Sequence, residues 1–128
     1  GKRPLSSMSP TIITKNGKIF MVTGSPGGSR IITITLESIL NVIDHKMDIR
    51  SAIDTPRIHH QWMPDTVYIE ENAVTPEVRK EREADGYKFT ENRSWGTDEG
   101  IIIGAKSGKR VLYGANDDRS PAGAAIGN

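Results

Sequence analysis

The chain has 128 residues, of which 35% are hydrophobic and 26% charged, and 17 basic against 16 acidic residues give a formal net charge of +1. This balance argues against nucleic-acid binding, which uses a concentrated basic surface, and no apolar run reaches the roughly 20 residues of a membrane span. The absence of cysteine excludes disulfides, thiolate zinc sites and cysteine nucleophiles. The length fits one domain or a large piece of one.

The first half of the chain predicts a β-hairpin followed by a helix. The hairpin spans residues 11–24, with its turn at Asn16-Gly17, because both residues tolerate a positive φ. After the turn "SPGGS", apolar residues recur at steps of three and four, which places them on one helical face: Ile32, Leu36, Ile39, Leu40 and Ile43. Asp48 is expected to cap a second, short helix that ends before Pro56.

The second half predicts further strands and one helix. Residues 57–62, 66–70 and 87–90 read as strands, and residues 99–116 as a second hairpin around Ser107-Gly108. A third helix begins after Thr75, with Pro76 at its first position, and ends at Gly86. Strands that come as hairpins, with helices between groups of them, indicate an α+β fold in which antiparallel sheets carry flanking helices.

Two polar loops are candidate binding sites. Gly27 and Gly28 precede the predicted first helix, where unpaired N–H groups can hold a phosphate, a carboxylate or a developing oxyanion. The alternative is a purely structural turn, and the residues alone leave both open. In "PLSSMSP", Ser6, Ser7 and Ser9 form a donor-rich loop that can bind a carboxylate or satisfy itself.

Other polar residues favour structural roles. His59 and His60 are neighbours on a predicted strand and therefore point to opposite faces, so we predict no metal site there. The acidic clusters "DEG" (98–100) and "NDDR" (116–119) lie at turns, where capping or solvated carboxylates are expected. Arg119 is predicted to pair with Asp117 or Asp118. No cofactor motif is present.

Four stretches together resemble one family. "RPLSSMSPTI" (3–12), "VTGSPGGSRIIT" (22–33), "PRIHHQWMPD" (56–65) and "YGANDDRSPAGAAIG" (113–127) look like the C-terminal part of the small catalytic subunit of gamma-glutamyltranspeptidase. The resemblance covers nearly the whole chain, and it implies that residues 1–128 are one incomplete domain of that subunit.

The resemblance implies a fold, a reaction and site residues. Members are N-terminal-nucleophile hydrolases with an αββα sandwich, and a precursor cleaves itself into a large and a small subunit. The new N-terminal threonine attacks the γ-glutamyl amide of glutathione, and the acyl-enzyme passes the γ-glutamyl group to water, an amino acid or a peptide. Ser6 and Ser7 match the pair that binds the substrate α-carboxylate. Gly27 and Gly28 match the pair whose N–H groups form the oxyanion hole.

The family's nucleophile segment has no counterpart in this sequence. We therefore expect a fragment that is inactive alone and whose partners are the large subunit and the rest of the small subunit. Exposed sheet edges predict homo-oligomer formation, and the family implies a periplasmic or secreted location in bacteria. The alternatives are a related acylase, such as a cephalosporin acylase or a poly-γ-glutamate depolymerase, or a non-catalytic interaction domain of the same fold.

Overall fold

The computed structural model describes residues 1–2 and 10–127. In chain order its elements are β1 (Thr11–Lys15), β2 (Lys18–Gly24), a short 3-10 helix (Gly28–Arg30), α1 (Ile31–Ile43), α2 (Ile49–Asp54), β3 (Ile58–His59), β4 (Val67–Ile69), α3 (Pro76–Ala84), β5 (Phe89–Glu91), β6 (Glu99–Lys106) and β7 (Lys109–Asn116). They fall into two compact units, the first formed by Gly1–Asp54 with Gly96–Asn128 and the second by Thr55–Trp95.

The first unit contains a four-stranded antiparallel sheet of two hairpins, in the order β1-β2-β6-β7. Asn16 and Gly17 turn the first hairpin with φ values of 52° and 73°. Ser107 and Gly108 turn the second with 52° and 76°. Positive φ at both turn residues matches the twist of the flanking strands, which confirms both predicted hairpins.

Helices α1 and α2 cover one face of this sheet. The core between them is a cluster of buried side chains from both layers: Met21, Val42, Ile49, Ala52, Ile53 and Ala115. At Gly100, which pairs with Thr23 and Ala115, the sheet approaches α2 so closely that a Cβ would lie 2.6 Å from Cδ1 of Ile49.

The predicted α1 is confirmed, but its predicted apolar face is not its buried one. The buried side chains are those of Ile31, Ile34, Thr35, Ser38 and Val42. Within the predicted face, Ile32 is 71% exposed and Leu36 49%. Both sides of α1 are rich in apolar residues, so periodicity alone could not decide which side of α1 is buried in this chain.

The opposite face of the sheet is open. Ile12, Ile101 and Leu112 lie on it with 63, 41 and 59% of their surface exposed. Part of this face, together with tail residues 124–127, lines a groove of about 850 Å³. The groove lining includes neither Gly27 nor Gly28.

The second unit contains the three-stranded sheet β3-β4-β5. Here β4 and β5 run parallel, unlike the hairpins elsewhere, because α3 carries the chain back to the same end of the sheet. Thr75 caps α3 by accepting the Val78 N–H, as predicted, and Gly86 follows it with φ 97°. The strand predicted for residues 57–62 is too long, since the chain bends at Trp62, where φ is 71°.

Candidate active site

Gly27 and Gly28 lie in the glycine turn (residues 25–28), which joins the end of β2 to the 3-10 helix and then to α1. Gly27 has φ 149° and ψ 13°, and Gly28 has φ 60°. Both are conformations that favour glycine over residues with a side chain. Gly27 therefore precedes the 3-10 helix, Gly28 is its first residue, and α1 itself begins only at Ile31.

The carbonyls of the two glycines are used inside the turn. Gly27 O accepts from Arg30 N at 3.1 Å, and Gly28 O accepts from the Ile31 N–H. Among the described residues, neither the Gly27 N–H nor the Gly28 N–H donates to a main-chain acceptor. Both residues are exposed. These two N–H groups can therefore donate hydrogen bonds to a partner outside the turn.

The side of the turn that faces the interior is tightly packed. A Cβ built on Gly27 would lie 3.1 Å from Cδ1 of Ile34 and 3.8 Å from the Cα of Gly96. By contrast, a Cβ on Gly28 would meet no atom of the described residues within 4 Å. Within residues 1–2 and 10–127, Gly27 thus packs against other residues and Gly28 does not.

The two acidic clusters meet behind the turn. Asp98 and Asp117 are both 0% exposed, so the solvated alternative is wrong for them, whereas Asp117 caps its own turn by accepting the Arg119 N–H at 2.9 Å. The Asp98 N–H donates to Oδ2 of Asp117 at 2.8 Å, and Asp117 Oδ1 accepts from Nη1 of Arg119 at 3.0 Å. The predicted pairing of Arg119 with Asp117 is confirmed. Long-range pairing of Asp98 with Asp117, together with the local turn at Asp117 and Arg119, holds these carboxylates in the interior.

Glu99, the first residue of β6, interacts electrostatically with this cluster. Partial burial raises the pKa of its carboxyl, and the nearby charges of Asp117 and Asp98 raise that pKa further. The charges of Asp98 and Asp117 therefore disfavour ionisation of the Glu99 carboxyl.

The remaining predicted site residues lie apart. Ser6 and Ser7 fall outside the described residues. His59 is buried and its ring Nε2 lies 3.0 Å from Oε1 of Gln61, whereas His60 is exposed and 3.3 Å from Asp65. The neighbouring histidines therefore have separate surroundings, as predicted.

In residues 1–2 and 10–127, no three His, Asp or Glu side chains are grouped so that they could bind a metal ion. In the same residues no helix has both the length and the apolar character needed to span a membrane.

The α+β arrangement of sheets with flanking helices, and a glycine turn that leads from a strand into a helix, agree with the N-terminal-nucleophile hydrolase fold of the solved structures that this chain matches. A solved mutant of the gamma-glutamyltranspeptidase from Helicobacter pylori matches it with a TM-score of 0.87 and 46% identity, over 93% of this chain and 64% of that chain. Residues 1–127 match the family model of gamma-glutamyltranspeptidase, and the chain belongs to this family.

Curated relatives are considerably longer than this chain. It is 50% identical to the glutathione hydrolase proenzyme of Pseudomonas sp. strain A14, over 99% of this chain and 23% of that protein. It is 47% identical to the proenzyme of Escherichia coli strain K12, over 93% of this chain and 20% of that protein. The chain therefore spans about a fifth to a quarter of the length of these relatives.

Sequence reasoning found the glycine turn but missed what holds it in place. Gly96 and Asp98 contact residues of β2 and the glycine turn that lie about 70 positions earlier in the chain. No local motif marks such a contact. The one available signal was a glycine placed two residues before a buried acid at the start of a strand.

Proposed function

We propose that this chain is the C-terminal part of the small subunit of a gamma-glutamyltranspeptidase. In this proposal the complete enzyme hydrolyses the γ-glutamyl amide of glutathione and transfers the γ-glutamyl group to water, an amino acid or a peptide. The names of the curated relatives, glutathione hydrolase proenzymes, support this substrate. The large subunit and the remainder of the small subunit are the partners that complete the site, and the chain alone is inactive.

The chain's own contribution is the oxyanion hole. When the catalytic threonine attacks the γ-carbonyl, the carbonyl carbon becomes tetrahedral and its oxygen gains a negative charge. The N–H groups of Gly27 and Gly28 donate to that oxygen, and donors fixed in advance need no reorganisation as the charge develops. The single observation that carries this assignment is that both exposed N–H groups lack a main-chain acceptor among the described residues.

The substrate's other end is assigned to the serine loop. Ser6 and Ser7 bind the α-carboxylate of the γ-glutamyl group with their hydroxyls, which donate hydrogen bonds without adding charge. This assignment rests on the family resemblance of "PLSSMSP". It predicts that Ser6→Ala or Ser7→Ala raises KM for a γ-glutamyl substrate more than it lowers kcat.

The test uses a chimaeric proenzyme, in which this chain replaces the matching segment of the Pseudomonas sp. strain A14 relative. Replacing the Gly28 residue by glycolic acid converts the Gly27–Gly28 amide to an ester, which removes the Gly28 N–H and makes the Gly27 carbonyl a weaker acceptor for the Arg30 N–H. Loss of one such donor typically lowers kcat about 10²–10³-fold, so hydrolysis of a γ-glutamyl anilide should fall by that factor.

Gly28→Ala is the matched control for this experiment. It keeps the N–H, and its methyl group enters space where no atom of the described residues lies within 4 Å. Its kcat should therefore exceed that of the ester, even though φ 60° disfavours alanine. An ester with the kcat of the unsubstituted chimaera would refute the oxyanion assignment.

The proposed location is periplasmic or secreted. Bacterial relatives and the family resemblance support it. Osmotic shock of a Gram-negative host should release the enzyme that hydrolyses a γ-glutamyl anilide, while a cytoplasmic marker is retained in the cells. Activity confined to the cytoplasmic fraction would contradict it.

A further inference from the structure

The supporting segment (residues 96–98) runs directly beside the glycine turn. The last residue of β2, Gly24, pairs with the first residue of β6, Glu99. Because the two strands are antiparallel, the residues just before Glu99 lie alongside those just after Gly24. The supporting segment therefore adjoins the turn.

Gly96 is the point of closest approach. A Cβ on Gly96 would lie 2.7 Å from the carbonyl oxygen of Pro26 and 2.5 Å from Cδ1 of Ile34. The Pro26 carbonyl belongs to the peptide group that contains the Gly27 N–H. A side chain at position 96 would therefore have to displace the peptide plane that carries one of the two proposed donors.

Asp98 holds the strand that leads into the turn. Its carboxylate accepts a bifurcated hydrogen bond from Oγ1 of Thr23, with distances of 2.9 and 3.1 Å. Thr23 is 3% exposed and lies two residues before Ser25. The main chain of Asp98 is itself fixed to Asp117: the Asp98 N–H donates to Oδ2 of Asp117 at 2.8 Å, and the Asp98 carbonyl accepts from the Asp117 N–H at 3.2 Å.

We propose that Gly96 and Asp98 are positioning residues for the oxyanion hole: they orient the peptide groups of Gly27 and Gly28 without touching substrate. The inference rests on the proposed function. A displacement of about 1 Å at a catalytic group can cost about 10²-fold in rate. Gly96 sets the peptide plane of Gly27 by direct contact, and Asp98 fixes the end of β2 through Thr23.

The first test compares two Gly→Ala changes in the chimaeric proenzyme. Gly96→Ala forces a methyl group against the glycine turn at a backbone φ of 62°, which itself disfavours alanine, whereas Gly100→Ala forces one against Ile49 and Ile53 of α2, at 2.6 and 3.0 Å. Both should lower Tm. Only Gly96→Ala should lower kcat, by at least about tenfold, with KM changed less than about threefold, because a displaced donor weakens the transition state more than substrate binding.

The second test removes the hydroxyl bonded to Asp98. Thr23→Val deletes the donor and keeps the shape, while Thr23→Ser restores the donor. A lower kcat in Thr23→Val that Thr23→Ser recovers supports the inference, and this pair remains informative if Gly96→Ala does not fold.

The inference is overturned if kcat falls only in proportion to Tm across the Gly96, Gly100 and Thr23 variants. That result would assign these contacts to folding alone. The ester at Gly28 separates the two proposals. If the ester lowers kcat and Gly96→Ala and Thr23→Val do not, only the positioning role fails. If the ester itself has full activity, the oxyanion hole fails as well.

Discussion

Asp117→Asn should destabilise the folded chain far more than the same change at its neighbour, Asp118→Asn. Asp117 is fully buried and accepts from the Asp98 N–H at 2.8 Å, from the Arg119 N–H at 2.9 Å and from the Arg119 guanidinium at 3.0 Å. Asp118 is 76% exposed and meets Arg50 at the surface, at 2.6 Å.

The magnitude follows from burial. An asparagine at position 117 can keep one oxygen toward Arg119, but its NH2 group then faces the Asp98 N–H, donor against donor. It also leaves the Arg119 side chain, only 12% exposed, without its charge partner. Removing one member of a buried ion pair typically costs about 3–5 kcal/mol. An exposed pair such as Asp118 with Arg50 is screened by solvent and contributes little to stability.

Urea unfolding of the 128-residue chain, followed by circular dichroism, measures both variants. With an m-value of about 1–3 kcal/mol/M, a loss of about 3 kcal/mol lowers the Asp117→Asn midpoint by 1 M or more, or leaves no folded baseline. The Asp118→Asn midpoint should stay near that of the unsubstituted chain. If the two variants unfold at the same urea concentration, the reasoning about buried charge is refuted.

Three further predictions follow from single residues. Asp48→Ala should cost about 1 kcal/mol through loss of the α2 cap. Because hydrogen bonds from Ser51 lower the pKa of Asp48, the stability that this carboxylate adds is present above the ordinary carboxyl pKa and is lost as pH falls through the lowered pKa. The urea midpoints of Asp48→Ala and the unsubstituted chain should therefore converge in acid. Glu99→Gln should raise the urea midpoint at neutral pH and not at low pH, because a raised carboxyl pKa means that stability is lost as pH rises through that pKa. A Glu99→Gln midpoint equal to that of the unsubstituted chain at both pH values would contradict this prediction. Ile12 lies on the edge strand β1 and is 63% exposed. Ile12→Lys should shift the sedimentation of the chain toward monomer, because a charge discourages edge pairing. An unsubstituted chain that is already a monomer at high concentration would rule out the predicted homo-oligomer.

Local chemistry predicted the local structure well. The Asn16-Gly17 and Ser107-Gly108 turns, the Asp48 and Thr75 caps and the end of α3 near Gly86 each depend on a backbone conformation or hydrogen bond within a few residues. Such features are visible in a short stretch of sequence, because the residue type that satisfies them is chemically specific.

What sequence reasoning could not supply depends on contacts between distant segments. Which side of α1 is buried is decided by the sheet beneath it, and the burial of Asp98 and Asp117 is decided by the pairing of β6 with β7. The glycine turn was found as a motif, but the packing of Gly96 against it joins residues about 70 positions apart.

A crystal structure of the chimaeric proenzyme, processed and bound to a boronic acid analogue of the γ-glutamyl group, tests the central claim most directly. The tetrahedral boronate places an oxygen where the oxyanion forms. The account predicts that this oxygen lies about 2.7–3.1 Å from the N atoms of both Gly27 and Gly28. A boronate oxygen held by other donors, with both glycine N–H groups turned away from it, would contradict the account.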